Sequence, residues 1–126
     1  MMMAAKNFSV SHGGIKLKVT LRETVRDVHL AYQACHCGAR MRNGKTVHAF
    51  FVPTLSKSAK HVGGIVLPMS GGNLNELVPH EVSHAVIEYY GGVLPHDDEA
   101  AATAIGNLTS RIFKRVNKLR TAGGPA

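Results

Sequence analysis

At 126 residues and 44% hydrophobic composition with little low-complexity sequence, the chain can bury a core without disulfides, and it reads as one globular unit over residues 1–126 with flexible ends at about 1–5 and 121–126. The N-terminus lacks the long apolar core of a signal peptide and no stretch approaches a membrane span, so the expected location is cytoplasmic. A formal charge of +7 and a pI near 9.8 imply attraction to something acidic, most commonly nucleic acid, although net charge alone defines no site.

Phe8 and Val10, then Ile15, Leu17 and Val19 alternating with Lys16 and Lys18, predict a half-buried hairpin turning at Ser11-His12-Gly13-Gly14. Thr20 and Glu23 have capping-box spacing, and Leu21, Val25, Val28, Tyr32 and Cys35 recur with helical period until Gly38. Cys35 and Cys37 flank His36, too close for an ordinary disulfide and without the second ligand pair of a zinc ribbon; they read as free thiols. Residues 46–54, rich in β-branched and aromatic side chains, predict a third strand, and a loop with Lys57 and Lys60 leads to a fourth at about 62–69. A helix follows from Asn73, paired with Glu76 as a cap, with a kink or separate first turn expected at Pro79 and a glycine stop at Gly91-Gly92. The last helix spans about 98–119, with Ile105, Leu108, Ile112, Val116 and Leu119 on one face. Its other face carries Arg111, Lys114, Arg115 and Lys118, either a solvated surface or a contact for nucleic acid or another acidic partner.

Residues 80–84 read His80-Glu81-Val82-Ser83-His84. Residues four apart on a helix lie one above the other, so His80 and His84 can aim two imidazoles at one zinc ion while Glu81 stands beside them as a general base. After the turn through Pro95, His96-Asp97-Asp98-Glu99 opens the last helix, which packs antiparallel to the first and can return a carboxylate to the histidines. Glu99 has the longer reach and is followed by small alanines; Asp98 and His96 are the alternative third ligands. Tyr89, Tyr90 and His96 are the nearest candidates for an oxyanion donor, and Glu88, one turn after His84, for orienting a ligand imidazole. His12, His29, His36, His48 and His61 show no ligand spacing, though His61 could approach a cleft.

The apolar segment before the motif, the motif helix and the acidic-then-alanine opening of the next helix together resemble the minimal gluzincins, compact zinc peptidase domains of the ImmA/IrrE-like and SprT-like kinds, often carried by phages and mobile elements. The resemblance covers about residues 62–112. It implies an α+β, zincin-like fold, with a small curved antiparallel or mixed sheet of about four strands, three main helices and the motif on the second. It implies Zn2+ held by His80, His84 and Glu99, with Glu81 as base in hydrolysis of a protein or peptide substrate. It also implies a substrate-binding edge strand, here matched to Val62, Gly63, Gly64, Ile65, Val66 and Leu67. The interval from His84 to Glu99 is shorter than in many gluzincins, which leaves Asp98 and His96 open as ligands. The reading of another class is a basic module for nucleic acid or acidic protein, with a structural or vestigial metal site.

Overall fold

Alternation of apolar and polar residues drives the first two elements. In the computed structural model, which describes residues 6–35, 46–54, 61–91 and 98–122, β1 (Lys6–His12) and β2 (Ile15–Thr24) pair antiparallel through a Gly13-Gly14 turn. Gly13 adopts φ 58, the left-handed conformation that a tight hairpin demands of its first turn residue. Phe8, Val10, Ile15, Leu17, Val19 and Leu21 are all buried on one face of the pair. The expected flexible end at 1–5 and residues 123–126 of the one at 121–126, Gly38 with Cys37, the Lys57–Lys60 loop, and the turn bearing His96 and Asp97 lie outside the described residues, as do the side chains of Cys35 and Asp98, while residues 121–122 continue the last helix.

The first helix starts later than its capping signal suggests. Leu21 continues the strand alternation and aligns with Lys6 on one side and Leu67 on the other, so β2 runs on to Thr24 and the Thr20–Glu23 pair caps nothing. The working box is one turn further along. The Asp27 N–H donates to Thr24 Oγ1 at 3.2 Å, the Thr24 N–H donates to Asp27 Oδ2 at 3.2 Å, and α1 (Val25–Cys35) follows.

The third strand is shorter than the 46–54 expectation: β3 is Phe50–Pro53, and β4 is Gly63–Ser70. The sheet order is β1-β2-β4-β3, with β2 and β4 parallel and the other two pairings antiparallel. The chain is therefore α+β, a four-stranded mixed sheet with three helices. This order corrects the edge-strand assignment. The segment from Val62 to Leu67 enters and forms β4, which is paired on both sides, and among the described residues the edges are β1 and β3. Its nearly unbroken apolar run is what a strand covered on both faces requires.

Register parity places Ile65, Leu67 and Phe51 on the face shared with Leu17 and Val19, where α2 (Leu74–Tyr89) and α3 (Asp98–Ala122) pack. Phe50 and Val66 fall on the opposite face, and Tyr32 of α1 meets the Phe50 ring edge-on at 5.4 Å between centroids. Asn73 caps α2, its Oδ1 accepting the Asn75 N–H at 3.2 Å, whereas Glu76 lends only its backbone N–H to the Asn73 carbonyl. The helix passes through Pro79 without splitting off a first turn. Ala101, Ala104, Leu108, Ile112 and Val116 form the buried stripe of α3, which continues to Ala122, beyond the expected 119.

Two adjacent glycines in β4 give a matched test. A Cβ on Gly63 would sit 2.5 Å from the Val52 carbonyl oxygen and 2.6 Å from the Phe51 ring, whereas one on Gly64 has only the Lys18 carbonyl, at 3.7 Å. Gly63→Ala is expected to cost about 1–3 kcal/mol in urea denaturation and Gly64→Ala well under half of that. Equal costs would mean that β3 does not close on β4 in this way.

Candidate metal centre

Along α2 the buried residues are Leu74, Val78, Glu81, Val82, Ala85 and Val86, a helical stripe that seats on the sheet and into which Glu81 intrudes. Glu81 is 6% exposed and is the buried charged side chain of the described residues. Burial pushes its carboxyl above the ordinary carboxylate value, opposed by the positive character of the neighbouring His80 and His84.

His80 and His84 flank that stripe on the solvent side. Their rings meet edge-on with centroids 4.8 Å apart, and the two Nε2 atoms are 3.2 Å apart. Without a metal this is a hydrogen bond, one Nε2–H donating to the other Nε2. It is also the separation of a chelating pair: two nitrogens about 2.0–2.1 Å from a tetrahedral zinc ion are about 3.3 Å apart. The i, i+4 spacing accounts for the convergence, and the Ser83 hydroxyl, turned inward to the Pro79 carbonyl at 2.7 Å, leaves the imidazole side clear.

These groups open onto a cleft of about 520 Å³ between α2 and the β3 edge. One wall carries His80, Glu81, His84, Ile87 and Glu88; the other carries Phe50, Phe51 and Pro53, with Tyr32, Val47 and Ala49 at the end nearer α1. Glu88 thus stands with the histidines as its spacing suggests. Tyr32, Phe50 and Phe51 were not singled out from the sequence, because they reach the cleft only through the strand order.

Other candidates stand elsewhere. Glu99, exposed at the start of α3, lines a separate depression of about 330 Å³ with His12, Tyr89, Tyr90 and Thr103. Tyr89 and Tyr90 stack edge-on at 5.1 Å, and the Tyr89 hydroxyl closes on Gly14 of the hairpin turn, so neither faces the imidazoles. His61 turns to Ser9, its Nε2 3.1 Å from the Ser9 Oγ, on the far side of the sheet from the cleft. Among the described residues no three His, Cys, Asp or Glu side chains stand close enough to hold a metal, so His80 and His84 fit zinc as a pair while the third ligand is not assembled.

No protein-family model matches the chain, and no curated protein or solved structure is significantly similar to it. Among the described residues no helix is long and apolar enough to cross a membrane.

The buried carboxylate has a pH signature in metal-free protein. Because the folded-state pKa of Glu81 is raised, its contribution to stability is full at low pH and is lost as pH rises through that pKa. Glu81→Gln is therefore expected to be more stable than wild type at neutral pH under excess chelator, the gap closing below the ordinary carboxylate value of 4.5. Urea denaturation at the two pH values measures this, and a variant less stable at neutral pH would mean that the carboxylate is held by a compensating partner.

Proposed function

We propose that the chain is a zinc-dependent metallopeptidase of zincin-like, minimal gluzincin type, acting on a restricted intracellular protein or peptide substrate. The observation that carries this reading is the carboxylate sunk into the apolar face of α2 between two imidazoles whose Nε2 atoms converge at 3.2 Å. Nothing in packing rewards a carboxylate at that position, where an apolar residue would be more stable.

His80 and His84 would hold the metal, with the third ligand from the start of α3 or the turn before it: Glu99, if that segment brings it across, or Asp98 or His96. Zinc, when bound, supplies a Lewis acid and acidifies a coordinated water. Glu81 accepts the proton of the attacking water at its carboxylate, and its raised pKa suits it to return that proton to the leaving amine. Glu88 lines the same cleft as His84 and would orient its imidazole.

The edge strand that lines the cleft is β3, and an extended peptide would add to it rather than to β4. Phe51 and Pro53 on one wall and Ile87 on the other line the groove with apolar surface, which favours substrates with an apolar side chain near the scissile bond.

Metal analysis and a quenched-fluorescence peptide library test the proposal together. Wild type is expected to carry about one zinc per chain and His80→Ala almost none, while Glu81→Gln keeps its zinc and loses at least about 10²-fold in hydrolysis. A wild type without zinc, or undiminished hydrolysis by Glu81→Gln, sinks the reading. For the third ligand, Glu99→Ala and Asp98→Ala are titrated with zinc against a competing chelator. Removing the true ligand is expected to weaken affinity by about tenfold or more, whereas removing a helix cap costs about 1 kcal/mol of stability and spares affinity.

A further inference from the structure

Positive charge is segregated on this molecule. Residues 100–122 contain Arg111, Lys114, Arg115, Lys118 and Arg120 with no Asp or Glu, and residues 6–22 contain Lys6, Lys16, Lys18 and Arg22, again with none. Lys16, Lys18 and Arg22 alternate with the buried Ile15, Leu17, Val19 and Leu21 and so project from the other face of the hairpin, whereas α3 packs along β1. At their junction a depression of about 290 Å³ is lined by Ser9, Val10 and Ser11 of β1 and by Arg111, Lys114 and Arg115 of α3. Three cations share one depression, and among the described residues no carboxylate lines it. Arg115 is also held in place, its guanidinium 4.9 Å above the centre of the Phe8 ring.

The strand adds donors to the cations. Pairs in an antiparallel hairpin alternate between bonded and unbonded, and across a two-residue turn the closing pair, His12 and Ile15, is bonded. The Lys16 carbonyl accepts from Val62 N–H at 2.8 Å on the opposite side, so Lys16 and its partner Ser11 form an unbonded pair. Ser11 and Ser9 therefore direct their backbone N–H groups outward from the β1 edge, into the depression lined by Arg111, Lys114 and Arg115.

We propose that the β1 edge and the basic face of α3 bind the phosphodiester backbone of duplex nucleic acid, without sequence preference, at the opposite edge of the sheet from the cleft beside β3. The cations from Arg111 to Lys118 extend about 10 Å along the helix, the rise of about three successive phosphates on one strand. Phe8 is buried under Arg115, and among the described residues no aromatic ring lines the depression to serve as the stacking platform that favours single strands. Outward N–H groups and arginines suit phosphate oxygens, which take several donors each. This site is independent of the hydrolytic reading, and Glu81 plays no part in it.

The test is fluorescence anisotropy of a labelled mixed-sequence DNA duplex of about 20 base pairs, titrated with protein across a series of NaCl concentrations. Binding is expected to weaken steeply with salt, with a log–log slope of about −3 to −4 for three to four neutralised phosphates. Lys114→Glu is expected to weaken binding at least tenfold at about 100 mM NaCl and to flatten the slope by about one. Arg26→Glu, the same charge change on α1, should stay within twofold of wild type. Lys114 is exposed, and a thermal melt of each variant checks that the fold is intact. Equal losses in Lys114→Glu and Arg26→Glu would reduce the effect to net charge and overturn the site. Absence of duplex binding, tighter binding of a poly-glutamate peptide, or tighter binding of phosphatidylserine vesicles would overturn the choice of occupant.

Discussion

The parallel pairing of β2 with β4 is the constraint on which the other features rest. Parallel neighbours cannot be joined by a tight turn, so the chain must leave the sheet after Thr24 and return at Gly63 by a long crossover. That excursion lays α1 on one face and adds β3 outside β4. The chain leaving β4 then has the other face free for α2, which runs back over the sheet with the histidines toward β3. The cleft is thus made by residues on either side of β4 in sequence, and its width is set by the seating of α2 on Ile65 and Leu67.

Seating α2 also explains how a carboxylate is kept where it costs stability. Val78, Val82, Ala85 and Val86 are fully buried around it, and each large apolar side chain so buried contributes roughly 1.5–3 kcal/mol. That anchoring holds the helix register against the penalty of Glu81 and keeps the carboxylate at the cleft beside His80 and His84. Two exposed imidazoles on the same helix need no such support, being placed by the period of the helix alone.

How much could be read from the sequence divides along physical lines. The hairpin, the motif helix and the long last helix were legible because alternation at Ile15, Leu17 and Val19 and the spacing of Leu108, Ile112 and Val116 each match one period. Leu21 was ambiguous: it fits the strand alternation behind it and the helical stripe of Val25, Val28 and Tyr32 ahead of it, and only pairing with Leu67 across the sheet decides. Strand order was not legible, since nothing local says that Phe50–Pro53 joins outside β4, and with it went the edge strand and the Tyr32, Phe50 and Phe51 side of the cleft. At the histidine pair, His80, Glu81 and His84 follow from the helix period, whereas a place for Glu99 beside them depended on the geometry of an interhelical turn that spacing does not specify.

An open four-stranded sheet has two edges, and each is a template on which another chain could grow into a fibre. Here β3 spans only Phe50–Pro53 and ends in a proline with no N–H to donate, so it has room for one short peptide but not for a long stacked ladder. The β1 edge is longer, but a second copy aligning on it would press one set of Arg111, Lys114 and Arg115 against another, with no carboxylate in the depression to relieve the repulsion. The same cations that make this flank attractive to polyanions therefore act as gatekeepers against self-association, and replacing them wholesale with neutral residues would expose the protein to aggregation through β1 before it disturbed the fold.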